Sequence, residues 1–378
     1  WAENLQKTQD DMPNERKSYI KKIFIKNFHS KPEEIFAFFD YNAISAASIA
    51  QVHYAISKNG EKFAVKILRK NIIKKINGNI KLLKAIAKFL DKKFKKLERF
   101  RLVELVDFLH SNLLRETNLK IEAYSALKLK INLMNNKGIY IPNINFNLTT
   151  NEILTLEWVN GISLSKIKDW KGLNKHEILK NLINAFCDQA YKYGFFHADI
   201  HPGNIFIDMS EQTRNRIILI DFGLVGSLNK KTKFYVTEIL RGFLNHDYNL
   251  VAKMHFDSGY VDKKYNIKKF EFDCKEIGSK LINKNLNQIS IAEVLNSLLK
   301  LTSDFQMKIR PELILIQKAT ILLEAASNKI DKTANIWMLS NKWLEKNYAK
   351  PNQIIYRKTK DYIRLLKNKI YNIINFIK

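Results

Sequence analysis

The chain has 378 residues, 46% of them hydrophobic and 27% charged, and a formal net charge of +27. That length can bury a sizeable core, and that composition excludes a small module or an intrinsically disordered chain. No uninterrupted apolar run approaches the roughly 18–20 residues of a membrane-spanning helix, and the two cysteines, Cys187 and Cys274, lack CxxC spacing, which argues for a reducing compartment and against a zinc site.

The opening stretch, WAENLQKTQDDMP, carries no charged-then-apolar leader and does not begin with Met, so further residues are expected upstream. The excess of Lys and Arg points to an anionic partner, nucleic acid or an acidic membrane surface. AT-rich codons alone would produce the same excess, since Lys runs through every segment together with abundant Asn and Ile. Residues 14–28 place Tyr19, Ile23, Phe24 and Phe28 at helical spacing. From Ile35 the period changes to a strand, the small-residue loop Ser45-Ala46-Ala47-Ser48, a second strand, a turn at Lys58-Asn59-Gly60 and a third strand. In that third strand Lys66 stands among apolar neighbours, which calls for phosphate oxygens and a carboxylate as partners unless the side chain snorkels from a strand edge. Small residues at Ala46, Ala47 and Ser48 let a backbone approach phosphates, but alanine restricts the left-handed conformations open to glycine, so a stiff loop is expected.

Residues 72–133 read as helices with basic faces, including KKFKKLERFR at 92–101. Glu116 and Glu122 fall in one helical pattern about 120° apart, which predicts different partners for them. Glu122, beside Ala123, is the candidate partner of Lys66; the bland alternative is a surface i,i+4 neighbour. Tyr140-Ile141-Pro142 and EILTLEWVNGISL give a strand pair that runs into a hinge between lobes at residues 157–161, where Glu157 and Val159 offer backbone to an adenine. A helix over about 174–193 supports the segment that follows.

The densest chemistry lies in FFHADIHPGNIFIDMSEQTRNRIILIDFG, from Phe195 to Gly223. His197-Ala198-Asp199 with Asn204 five residues on, then a hydrophobic run ending in Asp221-Phe222-Gly223, has the layout of a protein-kinase catalytic loop and its metal-binding turn. Asp199 would sit at the transferred phosphoryl group, and Asn204 with Asp221 offers hard oxygen ligands to Mg²⁺. His197 and His201 flank Asp199, but Pro202 and Gly203 break any helix there, which sets a zinc reading aside and leaves His197 to fix loop geometry. Beyond Gly223 the chain reads as helical, with PELILIQKATILLEAAS opened by Pro311. The tail IIYRKTKDYIRLLKNKIYNIINFIK is basic and amphipathic, suited to an anionic membrane surface or to packing on the large lobe.

AISAASIAQVH, AVKILR, FFHADIHPGNIFI and ILIDFG together resemble the UbiB family of atypical kinases, and the resemblance runs from about Leu5 through Trp337. It implies an α+β, bilobal protein-kinase-like fold: an incomplete N-terminal helical extension (1–34), a small lobe with an antiparallel sheet (35–160), a larger, mainly helical lobe (161–345) and the basic tail (346–378). Carried over by position, it implies that Lys66 contacts ATP phosphates and pairs with Glu122, that Ala46, Ala47 and Ser48 cover the nucleotide, that Asp199 is the catalytic aspartate, and that Asn204 and Asp221 hold Mg²⁺. The implied function is an ATP-binding, Mg²⁺-dependent kinase or ATPase supporting ubiquinone biosynthesis. Its implied place is the periphery of an anionic membrane surface, at the cytoplasmic face of the cell membrane or the organellar equivalent. Its implied partners are biosynthetic enzymes or lipid-like quinone precursors, with no nucleic acid. The alternative is a catalytically weak nucleotide-binding scaffold for those enzymes. The chain departs from the family pattern in four places. The family's Lys-x-Gly-Gln motif is not found, and its Glu-x-Asp becomes Glu116-Thr117-Asn118, which marks Glu116 and Asn118 as regulatory candidates. Ile200 replaces the first proline of HADPHPGN, and the sequence stops before the pair of membrane-spanning helices in which bacterial relatives often end.

Overall fold

The structure is a computed structural model that describes residues 13–94, 102–282, 297, 300–307 and 310–348. The basic tail and most of the lysine-rich run at 92–101 lie outside the described residues.

Two lobes meet at residues 158–160. The first is built on a five-stranded antiparallel sheet in the order β1 (Phe36–Phe39), β3 (Ala50–Ser57), β4 (Lys62–Leu68), β6 (Ile153–Glu157), with the two-residue β2 (Ser45–Ala46) also paired to β3. Gly60, at φ +85°, closes the β3–β4 turn in a conformation that glycine adopts without strain. Alternation along β4 decides which side chain goes where. Phe63, Val65 and Ile67 face α1 (Lys17–Phe28), whose Ile20, Ile23 and Phe24 recur at helical spacing and join them in one core with Phe36 and Phe39. Ala64, Lys66 and Leu68 face the other way, toward α4 (Leu119–Leu133), where Leu68 packs with Leu119, Ala123 and Leu154. Lys66 therefore points at a helix and not at solvent, and its backbone is flanked by Val52 and Leu154 on the neighbouring strands.

Between β4 and α4 run α2 (Ile72–Lys93) and α3 (Leu102–Glu116). The single helical pattern expected across Glu116 and Glu122 is broken. Chain direction changes at Thr117-Asn118, where Asn118 becomes the N-cap of α4 and its Oδ1 accepts from the amides of Lys120 and Ile121 at 3.2 and 3.4 Å.

The second lobe carries a four-stranded sheet ordered β5 (Ile139–Tyr140), β10 (Ile217–Leu219), β9 (Ile205–Asp208), β7 (Gly161–Ser163), and a two-stranded pair of β8 (Phe195–His197) with β11 (Val225–Ser227). Around them pack α5 (Lys175–Cys187), α6 (Lys230–Leu244), α7 (Tyr248–Ser258), α8 (Ile267–Ile282), α9 (Pro311–Ile330) and α10 (Ile336–Tyr348). The helix expected to run to Tyr193 ends as a regular α-helix at Cys187 and continues as a π-helical turn, Asp188–Tyr193. The extra residue in that turn points Gln189 inward, so that its Oε1 accepts from the His197 amide at 2.9 Å. One core unites α5 residues Ile178, Leu182 and Phe186 with Phe196 and Phe222 of the stretch from Phe195 to Gly223 and with Ala319, Leu323 and Trp343 of α9 and α10. Among the described residues no helix is long and apolar enough to cross a membrane.

Candidate active site

The site lies between the lobes and is organised by charge. Lys66 Nζ is 2.9 and 3.0 Å from the two carboxylate oxygens of Glu122 and 3.2 Å from Asp221 Oδ2. Glu122 is only 2% exposed, and its Oε1 also accepts from the Phe222 amide at 3.2 Å, so the first lobe's helix holds the turn of the second lobe directly. Burial pulls the Lys66 ammonium down, but Asp221 and Glu122 beside it outweigh that and hold it above its ordinary value. Asp221 sits deep in the cleft with one side open to solvent. Burial there works against its charge, yet Lys66 and the Gly223 amide, 3.2 Å from Oδ1, hold its carboxyl below the usual range. Its backbone is in the left-handed region, φ 59°, which turns the carboxylate back over the following glycine.

Asp199 follows β8 on a loop fixed by histidines. The Asp199 amide donates to His197 Nδ1 at 3.1 Å, and the fully buried His197 reaches the Ile220 carbonyl through Nε2 at 3.3 Å. Burial holds that imidazole below its ordinary value, so it acts as a neutral strut. Asn204 donates Nδ2 to the Asp199 carbonyl at 3.1 Å, while its own carbonyl accepts from the Ile220 amide at 3.1 Å. Asn204 is thereby pinned to the residue before Asp221. With Nδ2 turned back on the loop, the Asn204 amide oxygen and the Asp221 carboxylate are among the oxygen donors that could face an ion. A hard oxygen pair of this kind suits Mg²⁺ that keeps waters and nucleotide phosphates as its other ligands.

Glu116 and Glu122 converge, contrary to the divergence expected from a single helix. The break at Asn118 brings both to Gly223, where an added Cβ would lie 3.5 Å from Glu116 Cγ and 3.7 Å from Glu122 Oε2. Burial, then the fields of Asp221 and Asp199, push the Glu116 carboxyl up to about 7.

The remaining predicted residues are placed differently from one another. Ser45–Ala46 is strand, not loop: Ala46 is buried opposite Gln51, while Ala47 and Ser48 form the exposed bend. That bend is tied down by Arg69, which the sequence reading passed over; its Nε donates to the Ala47 carbonyl at 2.7 Å and its Nη1 to the Pro13 carbonyl at 2.8 Å. Val159 lies in the link between lobes. The Glu157 side chain points away from the Lys66 cluster, accepting from the Tyr140 hydroxyl at 2.6 Å and from the Asn143 amide and side chain at 3.0 and 2.7 Å. Asn118 spends its side chain on the helix cap. Sequence reasoning also missed Lys318 of α9, whose Nζ is 2.8 Å from Asp199 Oδ1 across 119 residues of sequence. No local signal marks it, because a lysine in an apolar helix reads as an ordinary solvated position.

A family model described as the ABC1 atypical kinase-like domain matches residues 7–255, and one described as the UbiB helical domain matches residues 274–335. The chain is similar to a "Probable protein kinase UbiB" of Marinobacter nauticus, 32% identical over 346 residues, 91% of this chain and 63% of that protein. It is similar to the protein of the same description from Aliivibrio fischeri, 32% identical over 318 residues, 83% of this chain and 58% of that protein. The chain thus spans about six tenths of the length of these curated relatives. Among solved structures, Rv3197 of Mycobacterium tuberculosis, determined with erythromycin, shares the fold with a TM-score of 0.65 at 18% identity, over 88% of this chain and 84% of that one.

Proposed function

The chain belongs to the ABC1 atypical kinase-like family, in its UbiB branch, and on that premise we propose that it binds ATP with Mg²⁺ and transfers or hydrolyses the γ-phosphoryl group. The observation that carries this reading is the ion cluster of Lys66, Glu122 and Asp221 set beside Asp199 and Asn204. Phosphoryl transfer asks a protein for positioning and charge neutralisation more than for covalent chemistry. Lys66, its backbone paired on both sides in the sheet and its ammonium aligned by Glu122, would bind phosphate oxygens. Asn204 and Asp221 would hold Mg²⁺, which supplies further neutralisation of the phosphates when bound. Asp199 would orient the acceptor hydroxyl and take its proton, and the His197 strut keeps the loop in place while it does so. Ala47 and Ser48, on the bend that Arg69 anchors, would cover the phosphates, and the backbone at Glu157 and Val159 would meet the adenine.

The proposed setting is ubiquinone biosynthesis at an anionic membrane surface, with biosynthetic enzymes or lipid-like quinone precursors as partners. The net charge of +27 supports that setting. Binding to anionic liposomes should exceed binding to duplex DNA at physiological salt, and the reverse order would refute the membrane assignment. ATP hydrolysis measured for the wild type and Asp199→Asn tests the enzymatic reading. Turnover should collapse while Mg·ADP binding is kept; equal turnover in the two would favour a non-catalytic nucleotide-binding scaffold instead.

A further inference from the structure

Asp199 is engaged by a cation that the catalytic loop does not supply. Lys318 Nζ lies 2.8 Å from Asp199 Oδ1, whereas His201 Nε2 is 3.9 Å from the other oxygen, Oδ2, beyond hydrogen-bond reach. Lys318 arrives from α9, inside the region that matches the helical domain. Its position is fixed by packing: Ile316, Ala319 and Leu323 on the same helix are buried in the large lobe's core. The side chain itself is 44% exposed and so has room to move along the cleft.

The charges of the cleft show what that cation is placed to do. Four carboxylates converge there, Glu116, Glu122, Asp199 and Asp221, and Lys66 answers two of them, Glu122 and Asp221. Lys66 therefore serves the end of the cleft where the turn at Asp221 meets the small lobe. Lys318 stands at the other end, against the carboxylate that faces the acceptor, and its field also reaches Glu116. A phosphoryl group in transit between those ends carries charge on three equatorial oxygens, and a cation supplied in cis stabilises that charge.

We propose that Lys318 is a second phosphate-binding cation, contributed by the helical extension, which contacts the γ-phosphoryl group of ATP during transfer while remaining beside Asp199. This rests on the phosphoryl-transfer reading above. In hydrolysis the water oxygen forms the new bond to phosphorus, and the bond from phosphorus to the β–γ bridging oxygen breaks with its electron pair leaving on ADP. The water proton passes to Asp199. Lys318 exchanges no bond or proton in this step and offsets the charge on the equatorial oxygens. An ion pair this exposed adds little to stability, so anchoring α9 is a poor explanation for it.

The test uses the full chain and Lys318→Ala, with Lys318→Arg as the conservative variant and thermal melting as the check on folding. Binding of Mg·ADP should change by no more than about twofold in Lys318→Ala, while binding of Mg·ADP with aluminium fluoride, which mimics the phosphoryl group in transit, should weaken by roughly ten- to a hundredfold. In ATP hydrolysis kcat should fall on the order of a hundredfold with little change in KM, and Lys318→Arg should recover most of it. Lys318→Ala that binds the fluoride complex as tightly as wild type would overturn the proposal. So would a loss that appears equally in Mg·ADP binding and in melting, which marks a structural role. Wild type that binds no Mg·ADP would instead overturn the nucleotide reading on which the proposal rests.

Discussion

Replacing Glu116 with Gln should stabilise the nucleotide-free protein at neutral pH and flatten its pH dependence. The Glu116 carboxyl lies against Gly223, and burial together with Asp221 and Asp199 pushes it from 4.5 up to about 7. A carboxyl whose folded value lies above its unfolded value binds protons more tightly when folded. Stability therefore falls as pH rises through the window from 4.5 to about 7, and the penalty is constant above it. At about 1.4 kcal/mol per pH unit the window sets a ceiling near ~3 kcal/mol. Partial solvent access reduces that to about 1–2 kcal/mol. Urea denaturation of wild type and Glu116→Gln across this range reads the effect, because titrating groups that do not interact with Glu116 cancel in the difference. The variant should be more stable by about 1–2 kcal/mol near pH 8, with the gap closing as the pH falls toward the unfolded value. A gap that does not vary with pH would refute the argument from burial and neighbouring charge.

Lys66→Met should abolish Mg·ADP binding in calorimetry and cost about 3 kcal/mol in chemical denaturation, because it leaves the buried Glu122 without its counter-ion. Asn118→Asp should leave stability within about 0.5 kcal/mol of wild type, since either side chain caps α4, whereas Asn118→Ala should cost about 1 kcal/mol; a large loss in the Asp variant would show that the position does more than cap. Gly226→Ala should be among the most disruptive small changes in the chain, because its Cβ would lie 2.2 Å from Phe196 Cζ under the strand that carries His197. A loss of roughly 1–3 kcal/mol in denaturation is expected, and a neutral result would mean the Phe196 ring repacks freely. Arg69→Ala should raise the KM for ATP by about tenfold with kcat less affected, as the bend at Ala47 loses its anchor; an unchanged KM would remove that bend from nucleotide binding.

That several candidate residues would lie together was legible because they are local in sequence. Asp199, Asn204 and Asp221 fall within one short stretch of sequence, and the strand period around Lys66 identifies a lysine turned inward. The convergence of Glu116 with Glu122 was not legible. Helical spacing set them about 120° apart, and only the cap at Asn118 shows that the spacing belongs to two helices. Asn and Asp both accept from the amides of a helix start, so either side chain could make this cap. Glu157 ends a strand at the hinge as expected, and the capture of its carboxylate by Tyr140 and Asn143, 17 and 14 residues away, has no signal in the local period. Arg69 and Lys318 act across 22 and 119 residues, on partners that no periodicity links to them.

The contact of α9 and α10 with the catalytic segment also bears on how the protein unfolds. Trp343 Nε1 donates to Asp188 Oδ1 at 3.0 Å, at the start of the turn that positions Gln189 and, through it, His197. The same core holds Phe222 and Leu323. The region matching the kinase-like model and the region matching the helical model therefore share one interior, and the division between them is not a seam along which the large lobe can melt in parts. Their loss should be cooperative, with amide protons of β8 and α9 exchanging through a common global opening. Residues up to 255 expressed alone would present a wide apolar face where α9 had been and would be prone to aggregate.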